Sequence, residues 1–382
     1  MGEPMKIAQI APLTESVPPR LYGGTERIVA WLTDELVRQG HDVTLYASGD
    51  SRTSARLVAA TPEAIRLRDD MTDPLAHTVR MVELVARDAA QFDVLHFHID
   101  HIHYPVVKRL ATPALTTMHG RMDLPDLPLL FDAFPDTPLV SISDSQREPL
   151  PGINWIATVP HGLPMDQITP TLERGSYLAF LGRTSPEKGI EEAIEIARRA
   201  DMPLRVAAKV DAVDNEYFEQ SIRPLLERGG HVDFVGEISD AQKDDFLGHA
   251  AATLFPIDWP EPFGLVMIES AARGTPVLAF RSGSVPEVIE EGVSGLIVDD
   301  VDAAVAAVPR LLDLPRDRVR AAVERRFGVE RMAGDYVDLY QRLARDRGTG
   351  ATSNVADFAI TQGTPREPNQ TVDQEVASSP SS

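Results

Sequence analysis

No cysteine occurs in the 382 residues, which excludes disulfides and cysteine-ligated metal sites and is compatible with a cytoplasm. Positive charge is in short supply. Lys and Arg number 37 against 58 Asp and Glu, a formal net charge of −21, which argues against nucleic acid as a partner. It also makes any basic cluster informative, because a phosphate ligand must be held against the overall field. Although 43% of the residues are hydrophobic, no apolar run approaches the roughly 18 residues of a membrane span. The opening Met1-Gly-Glu-Pro-Met-Lys6 passes directly into Ile7-Ala-Gln-Ile10. It lacks the basic segment, apolar stretch and small-residue cleavage site of an export signal, so a cytoplasmic location is expected. No G-x-G-x-x-G follows any expected strand, which counts against a dinucleotide-dependent dehydrogenase. Internal repeats are absent.

What is present is an alternation of strands and helices. Short apolar runs predict strands at 6–11, 42–47, 94–97, 114–118 and 139–142, and again at 177–181, 204–208, 232–235, 253–255, 276–279 and 296–298. Between the two sets the text turns Pro-rich and irregular, which places a hinge near 160–172. Residues 25–39 predict a helix with Ile28, Val29, Leu32, Leu36 and Val37 on one face, ended by Gly40. Another helix opens at Pro286 and runs to Glu291, with Gly292 behind it. Strands alternating with helices mean parallel pairing and helices on both sheet faces, an α/β class with two doubly wound domains. The chain is long enough for both. Residues 1–160 and 173–327 are the expected domains, followed by a helix over 328–346 that carries Met332, Tyr336, Leu339, Tyr340 and Leu343. The Ser-, Thr-, Pro- and Gly-rich 347–382 tail has a single aromatic and is expected to be disordered.

The stretch around which the rest is organised is Trp259-Pro-Glu-Pro-Phe-Gly-Leu-Val-Met-Ile-Glu269. Pro260 and Pro262 fix φ and remove two donors on either side of Glu261, leaving that acid on a stiff, non-helical turn. Gly264 allows a close backbone approach, and Leu265, Val266, Ile268 and Ala271-Ala272 then read as a buried helix closed by Gly274. A carboxylate thus stands at a helix N-terminus, with Glu269 about a turn inside. Free N–H groups there bind anions while carboxylates suit hydroxyls, so a ligand with both phosphate and polyol fits. The plainer reading is a capped surface helix with two solvated acids.

Seven residues separate the two acids, with Pro-Phe-Gly inside and Gly274-Thr-Pro-Val277 following. In this the stretch resembles the paired-glutamate signature of retaining glycosyltransferases of family four, glycosyltransferase group 1, which use nucleotide sugars and have the GT-B fold. The resemblance covers roughly residues 6–345. It implies two Rossmann-like domains facing across a cleft, acceptor on the first and donor mainly on the second, with the last helix crossing back to the first domain.

Further motifs match it. Gly182-Arg-Thr-Ser-Pro-Glu-Lys188-Gly189 follows a strand and precedes a helix, where open α/β sheets bind ligands; Arg183 and Lys188 offer a fork and a point charge to a diphosphate. The resemblance gives these two that role. Gly23-Gly24, between the first strand and first helix, matches the family's glycine loop between donor and acceptor, though a Gly-Gly turn is an ordinary feature. His119 ends the strand 114–118, where the family's histidine faces the transferred sugar. By the same resemblance Glu261 holds sugar hydroxyls beside the Phe263, Gly264 and Leu265 amides, Glu269 holds the ribose, and Gly236 lies near the base. No cofactor or metal is implied. The donor is a nucleoside-diphosphate sugar, UDP favoured over GDP on general frequency alone, and the hydroxyl acceptor is unknown.

Other readings compete. His96-Phe-His98-Ile-Asp100-His101 spells H-x-H-x-D-H, a zinc signature of metallo-β-lactamase-like hydrolases, and His103 adds an imidazole. That fold needs distal ligands and long antiparallel strands, so contact with an acceptor, or a solvated loop, is the better expectation. Asp300-Val-Asp302 is a chance D-x-D string in a loop. A sugar-nucleotide epimerase would share the GT-B fold and release free sugar, and a two-lobed sugar-binding protein would need export. Residues 62–91 mix Arg with Asp and Glu, not the polybasic face of a membrane-surface helix, so membrane association is not expected.

Overall fold

The computed structural model describes residues 3–21, 23–68, 70–227 and 231–348. The tail expected over 347–382 lies outside the described residues, apart from the last two positions of the final helix. Seven strands build the first sheet: β1 (Lys6–Ile10), β2 (Asp42–Ser48), β3 (Arg56–Thr61), β4 (Val94–Phe97), β5 (Ala114–Thr117), β6 (Leu139–Ser141) and β7 (Trp155–Thr158). Their order is β3-β2-β1-β4-β5-β6-β7. Six build the second: β8 (Tyr177–Arg183), β9 (Leu204–Lys209), β10 (Val232–Phe234), β11 (Ala250–Phe255), β12 (Val277–Phe280) and β13 (Gly295–Val298). These run in the order β10-β9-β8-β11-β12-β13. All neighbours are parallel, and the crossovers that parallel strands require pack against both faces. β1 and β11 show the pattern of central strands, with every residue buried except Lys6.

Three expectations are corrected. β3 and β7 are strands that the apolar pattern does not mark. They form the two edges of the first sheet, where β3 mixes exposed, half-buried and buried residues and β7 is half-buried throughout; their apolar runs are short and contain Ala, which is depleted in strands. The helix expected from Pro286 to Glu291 spans only Val285–Val288, because Ile289 is extended.

Each sheet is built outward on one side of its first strand and then on the other. β1 lies between β2 and β4, and β8 between β9 and β11. Doubly wound sheets bind ligands beyond the carboxyl ends of strands at such switch points. β1 leads there to Gly23-Gly24, and β8 ends on Arg183. Both motifs therefore face one cleft. The chain crosses it twice. Leu163 and Gly328 form a β-bridge, and the Val329–Gly348 helix then packs on the first domain, sharing a core with Ile7, Val94, Leu115 and Val140 through Met332, Tyr336 and Tyr340.

Candidate active site

A cavity of about 490 Å³ lies between the domains. Gly23, Gly24 and His119 line it from the first domain; Arg183, Lys188, Glu261, Phe263, Gly264, Leu265 and Glu269 line it from the second. Of the residues given a donor-binding or catalytic role by the resemblance, only Gly236 is not part of the wall. Its neighbours Glu237 and Ile238 are, while the Gly236 carbonyl accepts from the Ala208 amide at 3.0 Å.

The Glu261 turn is braced from behind. Its carbonyl accepts from the Ser284 amide at 3.0 Å, and the Ser282 hydroxyl donates to the Trp259 carbonyl at 2.6 Å. Lys188 Nζ donates to Glu261 Oε2 at 2.6 Å and stands 4.8 Å from the Trp259 ring centroid, so the acid is paired and the cation also rests on an aromatic face. Arg183 reaches Glu187 at 3.1 Å and Asp211 at 3.8 Å. Gly264 begins the Leu265–Ala272 helix with φ 76. A Cβ there would lie 2.6 Å from Met267 Cε and 3.1 Å from Phe255 Cζ, so both conformation and space demand glycine. Across the cleft, a Cβ on Gly24 would sit 3.5 Å from Leu265 Cδ1. The glycine loop of one domain thus meets the helix start of the other.

Glu269 is buried, and Lys243 Nζ donates to its Oε1 at 2.7 Å. Burial pushes the Glu269 carboxyl up, but Lys243, Arg27 and Arg273 outweigh it and hold the group below the usual carboxylate range. Lys243 was not singled out in the sequence, nor were Arg27, Lys209, Glu15 and Arg66, which also line the cavity. Lys209 ends β9, so the rule that sites lie at strand ends could have found it. Lys243 sits in a helix of no amphipathic pattern and gives no such signal. Glu15 pairs with Arg66 through Oε1, while its buried Oε2 has no hydrogen-bond partner; desolvation raises its pKa. Six basic side chains (Arg27, Arg66, Arg183, Lys188, Lys209, Lys243) face six acidic ones (Glu15, Glu26, Asp211, Glu237, Glu261, Glu269) around this wall. A chain of charge −21 thus carries one locally balanced surface, where an anion can be exchanged for a carboxylate partner.

The histidine-rich loop does not converge on a metal. His96, His98 and His103 are buried, while Asp100 and His101 are exposed, and among the described residues no group of three His, Asp or Glu could hold an ion. Direct contact of His96, His98 or His103 with an acceptor is corrected too, since their rings are tied to protein. His96 bridges Tyr340 and Thr117 at 2.7 Å each, and His103 bonds Thr116 at 2.8 Å. His98 is the link to the cavity. Its Nε2 lies 2.8 Å from Gln9 Oε1, and its Nδ1 lies 2.8 Å from His119 Nε2. Gln9 Oε1 can only accept, so His98 Nε2–H donates to it. His98 Nδ1 then accepts from His119 Nε2–H, which leaves His119 Nδ1 with a lone pair. That nitrogen has no protein partner, and burial holds the ring neutral with a pKa lowered to about 3. The His119 ring lines the cavity, with this nitrogen covered. The Asp300-Val-Asp302 string is structural: Asp300 caps its helix through the Ala303 amide at 2.8 Å, and Asp302 pairs with Arg199 at 2.7 Å.

Gly283 offers a test of the Glu261 brace that substitutes no lining side chain. Its φ is 51, and a Cβ there would fall 2.4 Å from the Glu261 amide nitrogen and 2.5 Å from its carbonyl oxygen. Gly283→Ala must therefore push the Glu261 turn into the cleft or out of it. Since displacements of about 1 Å cost on the order of 10²-fold in rate, activity should fall at least tenfold in the folded variant. Full activity with an unmoved Tm would show that the turn's position is immaterial.

Two family models match the chain: one described as Glycosyl transferases group 1 over residues 165–326, and one described as Glycosyltransferase Family 4 over residues 22–143. The D-inositol 3-phosphate glycosyltransferase of Acidothermus cellulolyticus is 31% identical over 212 residues, 51% of this chain and 45% of that protein. With this relative the chain thus spans less than half of the protein's length. The phosphatidyl-myo-inositol mannosyltransferase of Mycolicibacterium smegmatis is 25% identical over 354 residues, 83% of this chain and 86% of that one. Among solved structures, AviGT4, a glycosyltransferase involved in avilamycin A biosynthesis, superposes with a TM-score of 0.70 at 26% identity, covering 90% of this chain and 98% of its own. Anabaena HepE in complex with UDP and glucose reaches 0.67 at 15% identity over 88% of this chain and all of that one, a likeness of fold.

Proposed function

The chain belongs to the group 1 glycosyltransferases of the family 4 type and has their GT-B fold, and on that premise we propose that it transfers a hexosyl group from a nucleoside-diphosphate sugar to a hydroxyl acceptor with retained anomeric configuration. The observation that carries this reading is the convergence of Arg183, Lys188, Glu261, Glu269 and His119 on one cavity between the two switch points. HepE, of the same fold, binds UDP and glucose, which supports a uridine donor here; GDP is the alternative. In this reading Arg183 and Lys188 take the diphosphate. As the bond from the sugar C1 to the phosphate oxygen breaks, the electron pair and negative charge move to the leaving group, and these cations neutralise it. Lys188 exchanges Glu261 for phosphate, which turns the acid toward the sugar hydroxyls beside the 263–265 amides. The His119 ring faces the transferred sugar, Glu269 accepts from the ribose, and Glu237 and Ile238 flank the base. With the charge met by side chains, no divalent cation is required.

The direct test is a screen of UDP-, GDP-, ADP- and dTDP-sugars for nucleoside diphosphate release, with and without candidate hydroxyl acceptors, and with and without excess EDTA. Release with transfer to an acceptor, surviving EDTA, is expected. Free sugar released equally without acceptor would instead indicate an epimerase-type reaction, and loss on chelation restored by zinc would overturn the reading. The paired acids should then separate by variant. Glu261→Gln should lower transfer by an order of magnitude or more with little change in free-nucleotide affinity, whereas Glu269→Ala should raise the nucleotide Kd about tenfold or more. Equal effects of the two changes in calorimetry and turnover would reverse or erase these roles.

A further inference from the structure

We propose that Lys243 is a positioning residue for Glu269, and that through Asp240 it ties this acid to Arg27 of the first domain, so that nucleotide binding and domain contact are coupled. The inference rests on the nucleoside-diphosphate reading above. It begins with burial: Glu269 is 5% exposed and Lys243 9%. A carboxylate so deeply placed would take up a proton unless a cation met it. Lys243 Nζ meets it directly at 2.7 Å, and also lies 3.2 Å from Asp240 Oδ1. Asp240 Oδ2 in turn pairs with Arg27 Nη1 on the Gly24–Arg38 helix across the cleft. Arg273 is already engaged, donating to the Glu269 carbonyl and pairing with Asp244, each at 2.7 Å.

The placement of Lys243 is fixed locally. Ser239 and Gln242 form a capping box at the start of the Asp240–Gly248 helix, with Gln242 Oε1 accepting from the Ser239 amide at 2.9 Å. Lys243 and Asp240 are one turn apart on that capped end and pair with each other, with Lys243 lining the cavity. With Oε1 held by Lys243, the second carboxylate oxygen is the one left for ribose hydroxyls. The charged groups facing Glu269 are then Lys243, with Asp240 and Asp244, from this helix; Arg27, with Glu26, from the first domain; and Arg273 at the end of its own helix. Three cations favour the ionised acid. Removing the nearest leaves desolvation opposed only by the more distant two, and the carboxyl pKa rises.

Calorimetry with UDP at pH 6, 7 and 8 tests this, with GDP, ADP and dTDP as alternatives should wild type prefer one of them. The second ionisation of the nucleotide is common to all variants, so the ratio of variant to wild-type Kd isolates the protein. Lys243→Met should raise Kd about tenfold or more at pH 6, with the ratio narrowing toward pH 8 as Glu269 regains its charge. Lys243→Arg, which keeps the cation, should give a pH-independent ratio within a few-fold of one, a rescue that loss of packing alone would not produce. Arg27→Met should also weaken binding, and the double variant should lose less than the product of the two single losses, as linked groups do. Should Lys243→Met fail to fold, Asp240→Asn breaks the same link and takes its place in the cycle. A Lys243→Met ratio that is near one, or high but flat with pH, overturns the positioning role. Multiplicative losses overturn the link to Arg27. Wild type that binds no nucleoside diphosphate would instead remove the donor reading on which both stand.

Discussion

Lys188→Ala should lower turnover by two to three orders of magnitude while moving Tm by a few degrees at most. The size follows from where the charge acts. A preorganised donor aimed at charge that grows only as the glycosidic bond breaks contributes roughly 10²–10³ in rate, and Lys188 is aimed by its surroundings rather than by its own flexibility. The Pro186–Lys188 turn and Gly189 in the left-handed region, φ 76, hold its backbone, and a Cβ on Gly189 would overlap the Pro256 carbonyl at 2.0 Å. The Trp259 face and Glu261 hold its ammonium group. Stability should change little, because the Lys188 and Glu261 side chains retain 15% and 13% exposure at the cavity, so the acid left behind can be solvated. Lys188→Arg should recover only part of the rate, since a planar fork does not fit a point-charge position. Arg183→Ala should show the same pattern of lost turnover with kept Tm. Wild-type turnover in both alanine variants would remove the diphosphate assignment.

The interior of both sheets was legible because central strands such as β1 and β11 are predominantly apolar and buried along nearly their whole length. The edges were not, because the apolar runs of β3 and β7 are short and contain Ala, a weak strand signal. The site was legible wherever local geometry restricts residue type: the two prolines about Glu261, the glycine at φ 76 that opens the 265–272 helix, the strand ends at Arg183 and Gly23-Gly24. What escaped the sequence are partners far apart along it. Lys243 meets Glu269, Arg27 meets Asp240, and the Glu287 carboxylate accepts from the Asp144 and Ser145 amides at 2.7 Å each. Nothing in the spacing of a surface-like Lys or Glu announces that another domain will bury it. The histidines failed for the opposite reason. His96 and His98 have metal-like spacing in the sequence, yet alternate residues of a strand point to the same face, and here that face meets Tyr336 and Tyr340 of the crossing helix.

Those histidines set the second large effect, on stability against pH. Thermal stability should fall steeply as pH drops from 7 to about 5.5, with Tm lower by roughly 5–10 °C. His96, His98 and His161, the last stacked on His119 at the cavity wall, are pushed well below the ordinary imidazole range, first by burial and then by one another and neighbouring charges, and His103 and His119 are lowered to about 3 chiefly by burial. In the unfolded chain each protonates near pH 6.5. Below that value the unfolded chain binds more protons than the folded one, so acid favours unfolding. Each ring withdraws about 1.4 kcal/mol per pH unit. Five together, His119 included, remove about 6 kcal/mol by roughly pH 5.5, against a total stability of about 5–15 kcal/mol for folded proteins in general. Glu15 and Glu26, whose carboxyls burial raises, act in the opposite direction, since they bind protons in the folded state before they do in the unfolded chain. Calorimetry across this window checks the expectation, and His103→Asn should flatten the slope by about one proton's worth. A Tm constant from pH 7 to 5.5 would mean that the rings accept protons without unfolding. Burial of His96 and His98 opposes that, and at His98 a second N–H, on Nδ1, would meet the N–H of His119 Nε2 instead of a lone pair.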